Sequence, residues 1–183
     1  GKEKPAILDG DGKIRDISSH VSDLNPHNLN FETISKIQSV DTSNLPEISS
    51  DQRVGSCITS PGKFVAIGLN YSDHAAEVGA DIPKEPIMFM KATSSMCGPN
   101  DDVEIVSGSK KLDWEVELGI VIGKEAKHIS EDQSQDHILG YCLVNDVSER
   151  EWQIEKMGQW VKGKSHDTYG PTGPYLVTKD EIK

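Results

Sequence analysis

The sequence predicts a β-rich α+β fold in which a small N-terminal module precedes a larger domain. From residue 61 onward, short apolar runs typical of strands dominate, and only two short segments have helical signals. Strands and helices do not alternate regularly, so a doubly wound fold is not expected. We therefore predict a module over residues 1–58 and a second domain over residues 59–183.

The predicted module begins with a β-hairpin. "AIL" and "IRDIS" form its strands, and "DGDGK" forms its turn, because Asp-Gly readily adopts the positive φ of a tight turn. One short helix is expected around "FETISKIQSV". No residue pattern in the module suggests chemistry.

The second domain is predicted to contain six strands and two short helices. Each helical segment opens with a serine that can cap the first turn. The predicted strands are "FVAIGL", "IMFMKA", "DVEIV", "WEVELGIVIG", "ILGYCLVNDV" and "PYLVT", and the predicted helices are "SDHAAEVGA" and "SEREWQIEKM".

Composition narrows the range of partners. The chain has 183 residues and a formal net charge of −11, which argues against nucleic acid because a phosphate backbone requires a basic face. No stretch approaches the roughly 20 apolar residues of a membrane span, and no signal peptide is recognisable, so a cytoplasmic protein is expected. Three distant cysteines predict neither a zinc site nor a disulfide framework. Small molecules or metal cations are the expected partners.

The strand "WEVELGIVIG" carries two carboxylates, Glu115 and Glu117, on one face. On open solvent such a pair is unremarkable, but facing a cavity it requires a cation such as Mg²⁺ or Ca²⁺. Asp146, at a corner between a strand and a helix, can supply a third carboxylate or simply form a turn. We expect the opposite face of the strand to lie in the core: Trp114, Val116, Leu118, Ile120 and Ile122.

Two further segments combine reactive side chains. In "GLNYSDHAAEVGA", His74 and Glu77 lie three residues apart on a predicted helix, either as a general base with its orienting carboxylate or as an exposed stabilising pair. In "VKGKSHDTYGPTGP", Lys164 can hold a substrate carboxylate or an oxyanion. Gly158 and the following "GKS" match the spacing of a phosphate loop, but no long helix follows, so nucleotide binding is not expected.

Together these motifs resemble the fumarylacetoacetate hydrolase family. "GLNYSDHAAE", "EVELGIVIG", "NDVSEREWQ" and "KGKSHDTYGPTGP" occur in the family's order across about residues 61–179. The resemblance implies a mixed β-sheet roll preceded by a variable N-terminal module. Family members continue beyond the end of this chain, so the catalytic domain is expected to be incomplete here.

The resemblance also assigns roles to individual residues. It implies metal ligands that bind Mg²⁺, with Ca²⁺ or Mn²⁺ as alternatives; a catalytic dyad; and groups that hold substrate oxygens. Asn70 stands where some members have a fourth carboxylate ligand. The implied ligands are Glu115, Glu117 and Asp146; the dyad is His74 and Glu77; the substrate groups are Lys164, Arg150 and Gln153.

The implied activity is hydrolysis of a carbon-carbon bond in a β-diketo acid of the 2,4-diketo type, which releases a 2-oxo acid such as pyruvate. Within the family the sequence most resembles the 2,4-diketo-3-deoxy sugar acid hydrolases, often labelled ureidoglycolate lyase. Decarboxylation of an oxaloacetate-like acid, isomerisation and lyase chemistry at the same site remain alternatives, as does a catalytically silent metal-binding fragment. A homodimer is expected.

Overall fold

The computed structural model describes residues 2–182. The N-terminal module is a small antiparallel sheet with one helix. The predicted hairpin and helix are both confirmed. Asn30 caps the helix, because its side chain accepts a hydrogen bond of 2.9 Å from the Thr33 amide. The elements are β1 (Ala6–Leu8), β2 (Ile14–Asp16), α1 (Phe31–Gln38) and β3 (Glu47–Ile48), with a 3₁₀ turn at Thr42–Asn44.

Short strands are the most frequent regular elements in the remainder of the chain, as predicted. Its strands are β4 (Phe64–Gly68), β5 (Ile87–Lys91), β6 (Met96–Cys97), β7 (Leu112–Asp113), β8 (Val116–Ile122), β9 (Ile138–Asn145), β10 (Ser148–Glu149), β11 (Gly170–Pro171) and β12 (Val177–Thr178). Its helices are α2 (Ser72–Glu77) and α3 (Val161–Lys164), with 3₁₀ turns at Thr93–Ser95, Glu131–His137 and Lys179–Glu181 and a π-helical turn at Glu151–Glu155.

An antiparallel sheet in the order β12, β9, β8 forms the centre of this part. Strands β4 and β5 form a separate antiparallel pair, β7 pairs with β10, and β6 pairs with β11 in parallel. The inner face of the central sheet packs into the main core, and Leu24 and Ile34 contact both that core and the core of the module. The module is therefore packed against the central sheet. Buried in the main core are Leu29, Val121, Leu139, Cys142 and Val144.

The predicted orientation of β8 is wrong. The face expected in the core is exposed, with 73% of Trp114 and 70% of Val116 accessible. The opposite face, which carries Glu117, continues through Gly119 to the buried Val121 in the main core. Alternation correctly separated the two faces, but the register with β9 places the less apolar one against the main core. The exposed apolar face consists of Trp114, Val116, Leu118, Ile120 and Ile122.

Two other predicted elements differ from the structure. "DVEIV", residues 102–106, does not form a strand. Neither predicted serine cap forms: Ser72 is the first residue of α2 rather than its cap, and Ser148 lies in β10. None of the helices in residues 2–182 combines the length and the apolar character that crossing a bilayer demands.

Candidate active site

Strands β8 and β9 bring two of the predicted carboxylates together. Glu115 immediately precedes β8 and Asp146 immediately follows β9, and the antiparallel register sets them side by side. The Asp146 amide donates to the Glu115 carbonyl at 2.9 Å, and the Glu115 amide donates to the Asn145 side chain at 3.2 Å. These backbone contacts fix the point from which both carboxylates project.

Lys164 lies between these carboxylates. Its side chain is only 2% exposed, and its Nζ lies 2.8 Å from Glu115 Oε1 and 2.7 Å from Asp146 Oδ2. These are short, charge-assisted hydrogen bonds. Because an ammonium has three N–H groups and two are used here, one remains for a further oxygen. The structure thus places Lys164 between Glu115 and Asp146, and its contact with substrate stays a prediction.

Glu115 has the most partners of the three carboxylates. Arg150 Nη1 lies 2.7 Å from its Oε1, and the Ser148 hydroxyl lies 2.9 Å from the same oxygen. Burial by itself would raise the pKa of Glu115, but the hydrogen bond and charge of Lys164, with the charge of Arg150, outweigh it and lower that pKa. Glu115 is therefore held in its ionised form.

Glu117 is in the opposite situation. Its backbone pairs with β9, but its carboxylate has no hydrogen bond or ion pair with any residue from 2 to 182. Burial raises its pKa, and the negative charges of Glu115 and Asp146 raise it further, against the opposing charges of Lys164 and His74. Among the three carboxylates, Glu117 is thus the one that forms no ion pair with a lysine or arginine in residues 2–182.

The chemistry of this donor set suits a hard divalent cation, which prefers carboxylate oxygens. Glu117 supports this fit, since burial and then the like charges of Glu115 and Asp146 raise its pKa, and a bound cation would relieve the repulsion. Within residues 2–182, however, no three acidic, histidine or cysteine side chains are already arranged around one point as metal ligands. Lysines hold both oxygens of Asp146, so a cation would have to share that carboxylate.

Helix α2 carries the predicted dyad. His74 and Glu77 are both exposed, and across the described part of the chain no hydrogen bond joins their side chains. The charge of His74 acts to lower the pKa of Glu117, against the larger effects of burial and like charge. The orienting contact between His74 and Glu77 stays a prediction.

The predicted substrate groups, Arg150 and Gln153, contact each other. Arg150 Nη1 donates to the Gln153 side chain at 3.0 Å, and Gln153 is buried. The same guanidinium donates twice to Asp113, at 3.0 and 2.8 Å. Most of its donors are therefore used within the protein, and its contact with substrate stays a prediction.

Sequence reasoning missed Lys91, a buried lysine at the end of β5. Its Nζ lies 2.6 Å from Asp146 Oδ1, on the side of that carboxylate opposite Lys164. A signal was present in "IMFMKA", because alternation places Lys91 on the inward face with Ile87 and Phe89. A lysine at an inward position requires an anionic or carbonyl partner.

Comparison with known proteins assigns the chain to a family. The model described as "Fumarylacetoacetate (FAA) hydrolase C-terminal" matches residues 63–183, and the chain belongs to the fumarylacetoacetate hydrolase family. A Burkholderia lata protein with a provisional hydrolase name is 56% identical over 182 residues, which are 100% of this chain and 64% of that protein. The chain thus spans just under two thirds of the length of this curated relative.

Solved structures show the same fold. A fumarylacetoacetate hydrolase from Exiguobacterium antarcticum has a TM-score of 0.81 and 30% identity, over 97% of this chain and 63% of that one. A Mycobacterium abscessus protein described as a probable 2-hydroxyhepta-2,4-diene-1,7-dioate isomerase has a TM-score of 0.78 and 30% identity, over 96% and 61%. Both hydrolase and isomerase names therefore occur among structures of this fold.

Proposed function

We propose that this chain forms the core of a divalent-metal-dependent hydrolase that cleaves a carbon-carbon bond in a 2,4-diketo acid and releases a 2-oxo acid such as pyruvate. The observation that carries the proposal is the convergence of Glu115, Asp146 and Lys164, with Glu117 beside them lacking a cation. Membership of the family and the hydrolase names of similar proteins support it.

Each residue has a distinct role in this proposal. His74 takes a proton from a water molecule that adds to a ketone carbonyl. The adjacent carbon-carbon bond then breaks, its electron pair forms the enolate of the leaving fragment, and a proton returns to that enolate carbon to give the 2-oxo acid. The third N–H of Lys164 donates to the enolate oxygen that develops in the leaving fragment. Arg150, held by Asp113 and Gln153, helps fix the position of Glu115.

Glu115, Glu117 and Asp146 would hold the metal, for which Mg²⁺ is the first candidate. When bound there, a divalent cation would polarise the substrate carbonyl and stabilise negative charge on the enolate oxygen. Glu117 is the natural test residue, because no other described side chain depends on its carboxylate.

Isomerisation is the second candidate, and the isomerase name of a structure at a TM-score of 0.78 favours it. It uses the same enolate but moves a proton instead of adding water. Decarboxylation and lyase chemistry share that enolate as well. A panel of 2,4-diketo acids and oxaloacetate, assayed for pyruvate and for carbon dioxide, separates hydrolysis from decarboxylation. Substrate loss without pyruvate would favour isomerisation.

The first test is calorimetric titration of Mg²⁺ into metal-free protein, with and without oxalate as an enolate mimic. We expect binding that oxalate strengthens and that Glu117→Ala abolishes, while the exposed Glu125→Ala leaves it unchanged. Folded protein that binds no Mg²⁺ under either condition would refute metal dependence. In the substrate panel, full activity of His74→Ala would refute its role as the general base.

A further inference from the structure

Lys91 is a buried cation whose role goes beyond the proposed reaction. It is 1% exposed, and its Nζ contacts Asp146 Oδ1 at 2.6 Å, the Val147 carbonyl at 3.3 Å and the Lys164 carbonyl at 2.5 Å. All three of its N–H groups are therefore used within the protein. Unlike Lys164, it has no donor left for a substrate, so its contribution must reach a ligand through its charge or through the residues it holds.

The charges around Lys91 balance. The site contains three carboxylates, and three cations lie within hydrogen-bond distance of two of them. Asp113, which also pairs with Arg150, has a side chain that is 47% exposed and is largely screened by water. The carboxylates are Glu115, Glu117 and Asp146, and the cations are Lys91, Lys164 and Arg150.

A site with no net charge binds ions differently from a site with a net negative charge. A divalent cation that enters alone leaves two uncompensated positive charges in a partly buried place, where charge is costly. A cation that enters with a doubly charged acid leaves the site balanced. The two ligands should therefore bind far better together than apart, and this coupling is reciprocal.

We propose that Lys91 is a specificity-determining residue that makes metal binding depend on a dianionic chelating acid. The inference rests on the proposed metal site and adds the charge class of its ligand. Without Lys91 the site carries one net negative charge, so a metal alone binds more tightly and the acid adds less. Because Lys91 has no donor free for a substrate, removal of its charge removes no direct contact of its own with the acid.

The experiment measures Mn²⁺ binding by the loss of the free-ion signal in electron paramagnetic resonance, with and without oxalate. The ratio of the two dissociation constants is the coupling factor. Lys91→Gln removes the charge but keeps hydrogen-bond donors, whereas Lys91→Arg keeps the charge. The exposed Lys63→Gln controls for the loss of a distant charge. Urea denaturation establishes first that each variant is folded.

In the wild-type protein we expect oxalate to tighten Mn²⁺ binding by about tenfold or more, within the usual range of coupling between sites. Lys91→Gln should bind Mn²⁺ more tightly without oxalate and lose most of that coupling. Lys91→Arg and Lys63→Gln should retain it. A purely structural role would lower the urea midpoint of Lys91→Gln without changing the coupling factor.

The remaining outcomes are each decisive. Wild-type protein that binds no Mn²⁺ refutes the metal site and this inference together. Wild-type protein that binds Mn²⁺ without help from oxalate, or Lys91→Gln with unchanged coupling, refutes the inference alone. If Lys91→Gln does not fold, Lys91→Met takes its place; failure of both to fold would assign the residue to folding and overturn its role in specificity.

Discussion

Replacement of Glu149 should destabilise the protein more than replacement of any exposed glutamate. Glu149 is fully buried, and its carboxylate accepts hydrogen bonds from the Ser109 hydroxyl and from three backbone amides. Those of Lys110 and Lys111 lie at 3.1 Å and that of Glu151 at 3.2 Å. One carboxylate thus holds the loop that leads into β7.

The expected loss follows from these four donors. Glu149→Ala removes the acceptor of one hydroxyl and three amides in a part-buried setting, where water can replace some of the lost hydrogen bonds, so the cost should be about 3–5 kcal/mol. Glu149→Gln keeps one acceptor oxygen but turns an amide group towards other donors, which should cost about 2–4 kcal/mol. Glu155→Gln, on a half-exposed residue paired with Lys111, should cost less than about 0.5 kcal/mol.

Equilibrium urea unfolding measures these losses, and its dependence on pH gives a second check. Burial opposes ionisation of Glu149, but the hydrogen bonds from Ser109 and the amides outweigh burial and lower its pKa below the ordinary 4.5. A lowered pKa stabilises the folded state above the unfolded pKa, and that stabilisation fades as pH falls through the folded pKa. The gap between wild type and Glu149→Gln should narrow in that range. A loss below 1 kcal/mol for Glu149→Ala would refute the reasoning.

Two other predictions concern stability. Asn30→Ala removes the side-chain cap of α1 and should lower the free energy of unfolding by about 1 kcal/mol, measured by urea denaturation, whereas Asn30→Asp should retain most of it. Leu139→Ala, at a residue 2% exposed in the main core, should cost about 2–5 kcal/mol, whereas Leu118→Ala, on the exposed face of β8, should cost less than about 1 kcal/mol. Equal losses at the two leucines would show that the exposed face is buried in solution.

Local patterns predicted most elements of the fold. Asp-Gly located the first hairpin, alternation found β8, and an apolar run found β9. Alternation cannot say which face of a strand is inward when both contain apolar residues. Glu115 and Glu117 share a face with Val121, and it is this face that reaches the main core. Pairing with β9, a long-range contact, decides that orientation.

The candidate site was only partly predictable for a similar reason. The carboxylates and Lys164 stand in recognisable motifs, and the structure brings Glu115, Asp146 and Lys164 together. Alternation places Lys91 on the inward face of its strand, but lysine at a strand end is commonly exposed, and its partner Asp146 lies 55 residues away in the sequence. Ser148 was expected to cap a helix because a serine before a helical pattern favours that role, yet it donates towards Glu115.

The exposed apolar face of β8 has a mechanical consequence for the chemistry on its other side. The same short strand presents Val116 and Leu118 outward while it carries Glu117 inward and follows directly from Glu115. Any surface that packs on the apolar side would brace the backbone from which the carboxylates project. Association at that face and ligand binding at the carboxylates would then be linked by a coupling free energy, so each would raise the affinity of the other by the same factor.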